Sequence, residues 1–100
     1  MINKEETDYT LMLITLEGCQ GCNIMFSNVV EAISKTRKPI EFKHIKLAHD
    51  TIKNNKEVLN KYDIRDYPAV LFFNKDNLKY KYTGTMPVTV ILRWIDIHFK

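Results

Sequence analysis

The spacing of apolar residues changes several times along the chain, and each change marks an element. Thr10–Leu16 (Thr-Leu-Met-Leu-Ile-Thr-Leu) is apolar almost throughout and has no polar alternate face. Such a run suits a strand buried on both faces, as in a parallel sheet. Glu17-Gly18 interrupts it. From Cys19 or Gln20 to about Lys35 the spacing turns helical. Cys22, Met25, Phe26, Val29, Val30 and Ile33 then face the core, with Asn23, Ser27, Asn28 and Glu31 outside. Thr36-Arg37-Lys38-Pro39 ends this helix and sets cations beside its negative end. Ile40–Leu47 begins with period two, Ile40 and Phe42 on one side, and is predicted as a second strand.

Asp50 or Thr51 can cap a helix over roughly 51–62, whose inner face carries Ile52, Val58, Leu59 and Tyr62. Asp63-Ile64-Arg65-Asp66-Tyr67 forms a loop ahead of Pro68, and Ala69–Phe73 is a strand. The turn formers Asn74-Lys75-Asp76-Asn77 join it to an antiparallel partner, Leu78–Thr83. Alternation there directs Leu78, Tyr80 and Tyr82 to the core and Lys79 and Lys81 to water, which suits an edge strand. Gly84 breaks the pattern, and Pro87 opens a last helix with the stripe Val88, Ile91, Leu92, Ile95 and Phe99. The order β-α-β-α-β-β-α implies an α/β fold. A right-handed crossover makes the first two strands parallel, the hairpin joins the same sheet, and three helices cover it. Residues 1–9 are polar and expected to form a flexible segment ahead of a single domain over 10–100.

Composition narrows the class. One hundred residues, 45% hydrophobic and 27% charged, are one ordinary globular domain. The apolar runs fall short of the ~20 residues that a membrane span needs. The start, Met1-Ile2-Asn3-Lys4-Glu5-Glu6, lacks the basic region of a signal peptide, so a cytoplasmic protein without a membrane partner is expected. Net charge is +3 and scattered, and no nucleic-acid partner is expected. Lys79-Tyr80-Lys81-Tyr82 interleaves basic and aromatic residues, but the strand alternation accounts for it.

Cys19 and Cys22 are the only two cysteines, too few for a disulfide framework. They are a redox pair, half of a metal site, or two packing residues. Zinc would need two further ligands. His44 and His49 are spaced H-x4-H, yet 21 residues lie between Cys22 and His44, where zinc fingers use about 12–15. His98 lies at the far end of the chain, and no metal is expected. A redox pair fits the position better. Cys19 falls at the turn into a helix, where unpaired N–H groups and the macrodipole stabilise a thiolate. Cys22, three residues on, can attack a mixed disulfide formed by Cys19.

From about Thr10 to Phe99 the chain resembles the thioredoxin superfamily. Three landmarks carry the resemblance: Cys19-Gln20-Gly21-Cys22 after a buried strand; Tyr62-Asp63-Ile64-Arg65-Asp66-Tyr67-Pro68 ahead of Ala69-Val70-Leu71-Phe72-Phe73; and Gly84 before the last helix. The resemblance implies a thioredoxin-like fold, with a four-stranded mixed sheet flanked by three helices. It implies a thiol–disulfide oxidoreductase working without a cofactor, Cys19 as nucleophile and Cys22 as resolving thiol. It implies a cis Tyr67–Pro68 bond against the disulfide and a substrate-docking edge of Tyr67, Pro68, Gly18 and Gly84. The partners implied are a disulfide-containing protein or small-thiol substrate and a reductase or glutathione, acting on a monomer.

Departures are also visible. Gly18 stands where thioredoxins carry Trp, Gln20-Gly21 replaces Gly-Pro, and the single Trp94 lies in the last helix. Leu13 occupies the place of a buried Asp that assists proton removal, while Lys46 corresponds loosely to the partner lysine. Asp66-Tyr67-Pro68 replaces the Thr-Val-Pro with which glutaredoxins bind glutathione, and the chain is short of the first strand and helix of full thioredoxins. The alternative is a non-catalytic thioredoxin-fold protein-binding module.

Overall fold

The nearly unbroken apolar segment becomes an interior strand, where both of its faces find cover. In a computed structural model, which describes residues 8–99, β1 (Tyr9–Leu16) lies between β2 (Ile40–Leu47) and β3 (Ala69–Asn74). β1 and β2 are parallel; β3 is antiparallel to β1 and to β4 (Asn77–Thr83) at the edge. The helices are α1 (Gln20–Lys35), α2 (Lys56–Lys61), entered through a 3-10 turn at Ile52–Asn55, and α3 (Val88–His98).

Strand parity divides the core in two. Leu11, Leu13, Val70 and Phe72 pack with Met25, Val29 and Ala32 of α1 and with Ile91 and Ile95 of α3. Ile14, Leu47, Ala69, Leu71 and Phe73 face the other way, toward Ile52, Val58, Leu59 and Tyr62. Burial of these side chains is the main favourable term, roughly 1.5–3 kcal/mol for each large one.

Several expectations need correction. The flexible segment over 1–9 lies mostly outside the described residues, but Tyr9 already belongs to β1. It pairs with Ile40 and Asn74, and its ring stacks on Phe99 at 4.7 Å. The buried stripe of α1 is Cys22, Met25, Val29 and Ala32, whereas Phe26 and Val30 are 39% and 42% exposed. One side of α1 meets the sheet and α3, so only a narrow stripe is covered, and Phe26 turns instead toward Phe42 and His44 of β2.

The single helix over 51–62 is two pieces, because Asn54 and Asn55 favour local bonding over helix. Thr51 does not cap the helix with its side chain: its hydroxyl accepts from the Ala48 N–H at 3.0 Å and turns back to the Ala48 carbonyl. In β4, Phe72 pairs with Tyr80 but Phe73 with Leu78, which makes Lys79 the extra residue of a bulge. Leu78 is thereby exposed, and Lys81 is half-buried with its ammonium donating to the carbonyls of Tyr62 and Asp63.

Candidate redox site

The strand-to-helix turn after β1 sets the two cysteines. Gly18, at φ +78°, makes the turn that an L residue resists. Cys19 follows in extended conformation as the N-cap of α1, and its sulfur accepts the Cys22 N–H at 3.1 Å. A sulfur therefore fills the place usually taken by a capping oxygen, at the positive end of a 16-residue helix with no acidic residue in its first turn.

Cys19 and Cys22 are joined as a disulfide, with Cα atoms 5.2 Å apart. Their surroundings differ sharply. Cys19 is half-buried at the surface, whereas Cys22 is 2% exposed and receives the Leu16 N–H at 3.5 Å. Glu17, beside the pair in sequence, is turned away: its Oε1 accepts the His49 N–H at 2.9 Å.

Across from Cys19 runs the loop that precedes β3. The Tyr67 carbonyl lies 3.9 Å from Cys19 Sγ, the Tyr67–Pro68 peptide is cis, and Pro68 is buried. Burial pushes the Tyr67 phenol above its ordinary value, so it stays protonated throughout the neutral range. Gly84, at φ +109°, donates its N–H to the Pro68 carbonyl at 2.8 Å. Gly21 brings α1 against the same corner, since a Cβ there would sit 3.7 Å from Pro68 and 3.4 Å from Thr85. Cys19, Cys22, Tyr67, Pro68 and Gly84 thus converge from three separate stretches of chain. Gly18 adjoins them, with nothing within 4 Å of a Cβ built on it.

Behind the disulfide is a cavity of about 300 Å³ lined by Thr15, Cys22, Asn23, Phe26, His44 and Lys46. Thr15 Oγ1 is 2.8 Å from His44 Nε2, and the His44 ring lies 4.8 Å from that of Phe26. Burial first, and the Lys46 charge second, hold His44 below its ordinary 6.5. Leu13, fully buried, presents only hydrocarbon. In the sequence His44 stands out only by its H-x4-H spacing to His49, and Thr15 carries no motif. Thr15 is the one polar residue at the end of an apolar strand, and that was the available signal.

A second depression, of about 350 Å³, lies on the other sheet face among Thr10, Met12, Glu41 and Lys43 and shares no residue with the cysteine site. Among the described residues, no three His, Cys, Asp or Glu side chains gather as metal ligands, and no helix is long and apolar enough to cross a membrane.

A cysteine pair at the start of the helix after the first strand of a four-stranded mixed sheet, faced by a cis X–Pro loop, defines a thioredoxin-type domain. The chain belongs to the thioredoxin family, whose model, described as thioredoxin, matches residues 2–97. No curated protein sequence matches it. Its backbone is similar to that of a mutant thioredoxin from Halobacterium salinarum NRC-1, with TM-score 0.78 and 15% identity over 95% of this chain and 78% of that one. Thioredoxin from Aeropyrum pernix gives TM-score 0.70 and 16% identity over 96% and 83%. An uncharacterized thioredoxin-like protein from Clostridium perfringens gives 0.76 and 18% over 91% and 71%. At these identities the likeness is one of fold.

Proposed function

We propose that the protein is a thiol–disulfide oxidoreductase that cycles Cys19 and Cys22 between dithiol and disulfide. The asymmetry of the pair carries this reading: a half-buried sulfur capping α1 and a partner sulfur 2% exposed behind it. As a thiolate, Cys19 attacks one sulfur of a substrate disulfide, forms a mixed disulfide and expels the other substrate sulfur. Cys22 then attacks Cys19 Sγ, closes the intramolecular disulfide and releases the second substrate thiol. Two electrons pass to the substrate without a cofactor. Tyr67 and Pro68, bordered by Gly18 and Gly84, form the edge along which an extended peptide docks. The reduced pair is regenerated by a reductase or a small thiol such as glutathione, in a reducing compartment such as the cytoplasm, by a monomer.

The test is alkylation of the reduced protein across pH together with reduction of insulin disulfides. Cys19 is expected to titrate below the ~8.5 of a free thiol, and Cys19→Ser to abolish turnover. A free-thiol titration with no insulin reduction rejects catalysis.

The buried hydrocarbon of Leu13 favours a second reading, a protein-binding module that keeps the dithiol without turning over. Under it, Cys19→Ser leaves partner binding intact. Loss of binding in that variant counts against it.

A further inference from the structure

We propose that His44, acting with Thr15, accepts the Cys22 proton in the step that closes the disulfide. The inference rests on the redox reading above and assigns the proton-accepting role that Leu13 cannot fill.

Three observations carry it. Cys22, Thr15 and His44 line one cavity of about 300 Å³. Cys22 Sγ lies 3.5 Å from the Leu16 nitrogen, against the residue that follows Thr15, and Thr15 Oγ1 reaches His44 Nε2 at 2.8 Å. In the strand register His44 stands beside Leu13 and Lys46 beside Thr15, so β1 supplies no acid or base to this cavity. α1 contributes Cys22 with Asn23 and Phe26, and β2 contributes His44 and Lys46. The Lys46 ammonium offers only donors and has no lone pair with which to accept. The imidazole, held below 6.5 by burial and by Lys46, is neutral there and accepts. Phe26 and Phe42 flank its ring at 4.8 and 6.3 Å and fix its direction.

The step balances. Cys22 gives its proton to the Thr15 hydroxyl, which hands its own to His44 Nε2. The Cys22 sulfur lone pair forms the bond to Cys19 Sγ, and the electrons of the mixed disulfide leave on the substrate sulfur. The imidazolium then returns the proton to the departing thiolate or to solvent. The substrate is reduced and the cysteine pair oxidised.

Stopped-flow mixing of the reduced protein with an aromatic disulfide that releases a coloured thiolate separates the two steps. Capture by Cys19 scales with reagent concentration, and closure by Cys22 does not. In His44→Gln, capture is expected at the parent rate, while closure at pH 7 slows at least about tenfold. The gap narrows above pH ~8.5, where solvent deprotonates the thiol unaided. In the parent, closure slows as pH falls through the His44 titration, and that inflection is absent from the variant. Added imidazole is expected to accelerate closure in His44→Ala.

Parent-like closure with a parent-like pH profile in His44→Gln overturns the assignment and leaves the redox reading standing. Slowed closure that runs parallel to the parent at every pH and ignores imidazole marks a packing role and overturns it equally. Absence of capture in the parent protein removes the redox reading and this inference with it. Should His44 variants fail to fold, Thr15→Val carries the test. Slowed closure with the same pH signature supports the relay, and unaltered closure refutes it.

Discussion

A methyl group added at Gly18 and one added at Gly21 are expected to move stability in opposite directions, although the positions are three residues apart. Gly21 lies in the first turn of α1, where backbone entropy favours Ala over Gly by roughly 0.5–1 kcal/mol. The new Cβ would rest 3.4 Å from Thr85 Cγ2 and 3.7 Å from Pro68 Cδ, ordinary contacts that bury the methyl without displacing anything. Gly21→Ala is therefore stabilising by roughly 0.5–1 kcal/mol. Gly18 sits at φ +78° with nothing within 4 Å of the added carbon, so packing returns nothing there. A left-handed L residue costs roughly 1–2 kcal/mol, offset by about 0.4–1 kcal/mol of unfolded-chain entropy. Gly18→Ala is thus destabilising by up to about 1.5 kcal/mol, and the variants differ by roughly 0.5–2.5 kcal/mol. For a domain of this size that separates their melting temperatures by roughly 2–20 °C. Thermal and urea unfolding of parent and variants, all oxidised, measures the difference. Shifts of the same sign, or a Gly21→Ala variant less stable than Gly18→Ala, would refute the reasoning.

Three other outcomes follow from the packing and the charges. Phe72 is fully buried, with the rings of Tyr80, Trp94, His98 and Phe99 at 5.5–6.3 Å. Phe72→Ala is expected to cost about 3–5 kcal/mol and to shift Trp94 emission to the red; a loss under ~2 kcal/mol would mean the core collapses around the gap. Lys81→Met keeps the aliphatic stem but withdraws the ammonium from the Tyr62 and Asp63 carbonyls at 3.0 and 3.1 Å. It is expected to cost about 0.5–1.5 kcal/mol and to speed hydrogen exchange over residues 62–67, and an unchanged urea midpoint and exchange pattern would contradict it. His44 has a folded-state value below its ordinary 6.5, so the unfolded chain binds the proton more readily. Its contribution to stability is complete above pH 6.5 and is lost as pH falls through the folded-state value. Urea midpoints across mildly acidic pH are expected to decline in the parent more than in His44→Gln; equal slopes would remove the linkage.

Much of the fold was legible where local pattern and burial agree. The run Ala69–Phe73, apolar on both sides, is a strand buried on both faces, and Ile40–Leu47 begins and ends where its period-two start and its flanking residues set it. The cysteine turn was legible because a Gly, two thiols and a change of period fall together at Gly18–Cys22. The misses share a cause: each depends on what lies opposite in space. Phe26 and Val30 satisfy helical spacing as well as Met25 and Val29 do. Only the neighbours of α1 decide which pair is covered. The Lys79 bulge is invisible in a stretch whose residues alternate without interruption.

The pairing of Thr15 with His44 was hidden for the same reason, 29 residues apart in the chain and joined only by register. A slip of one residue in β2 would turn Ile45 toward α1 and carry His44 to the other face. What opposes that slip is apolar: Ile45 and Leu47 pack against Ile14 and Leu71 on the α2 side, and the Glu17 N–H holds the Leu47 carbonyl at 2.9 Å. The hydrophobic residues at 45 and 47 therefore keep an imidazole behind the buried thiol. Substituting Leu47 by a polar residue would weaken the register that sets His44 there, and the proton chemistry of Cys22 would suffer with it even though Leu47 packs on the opposite face of the sheet.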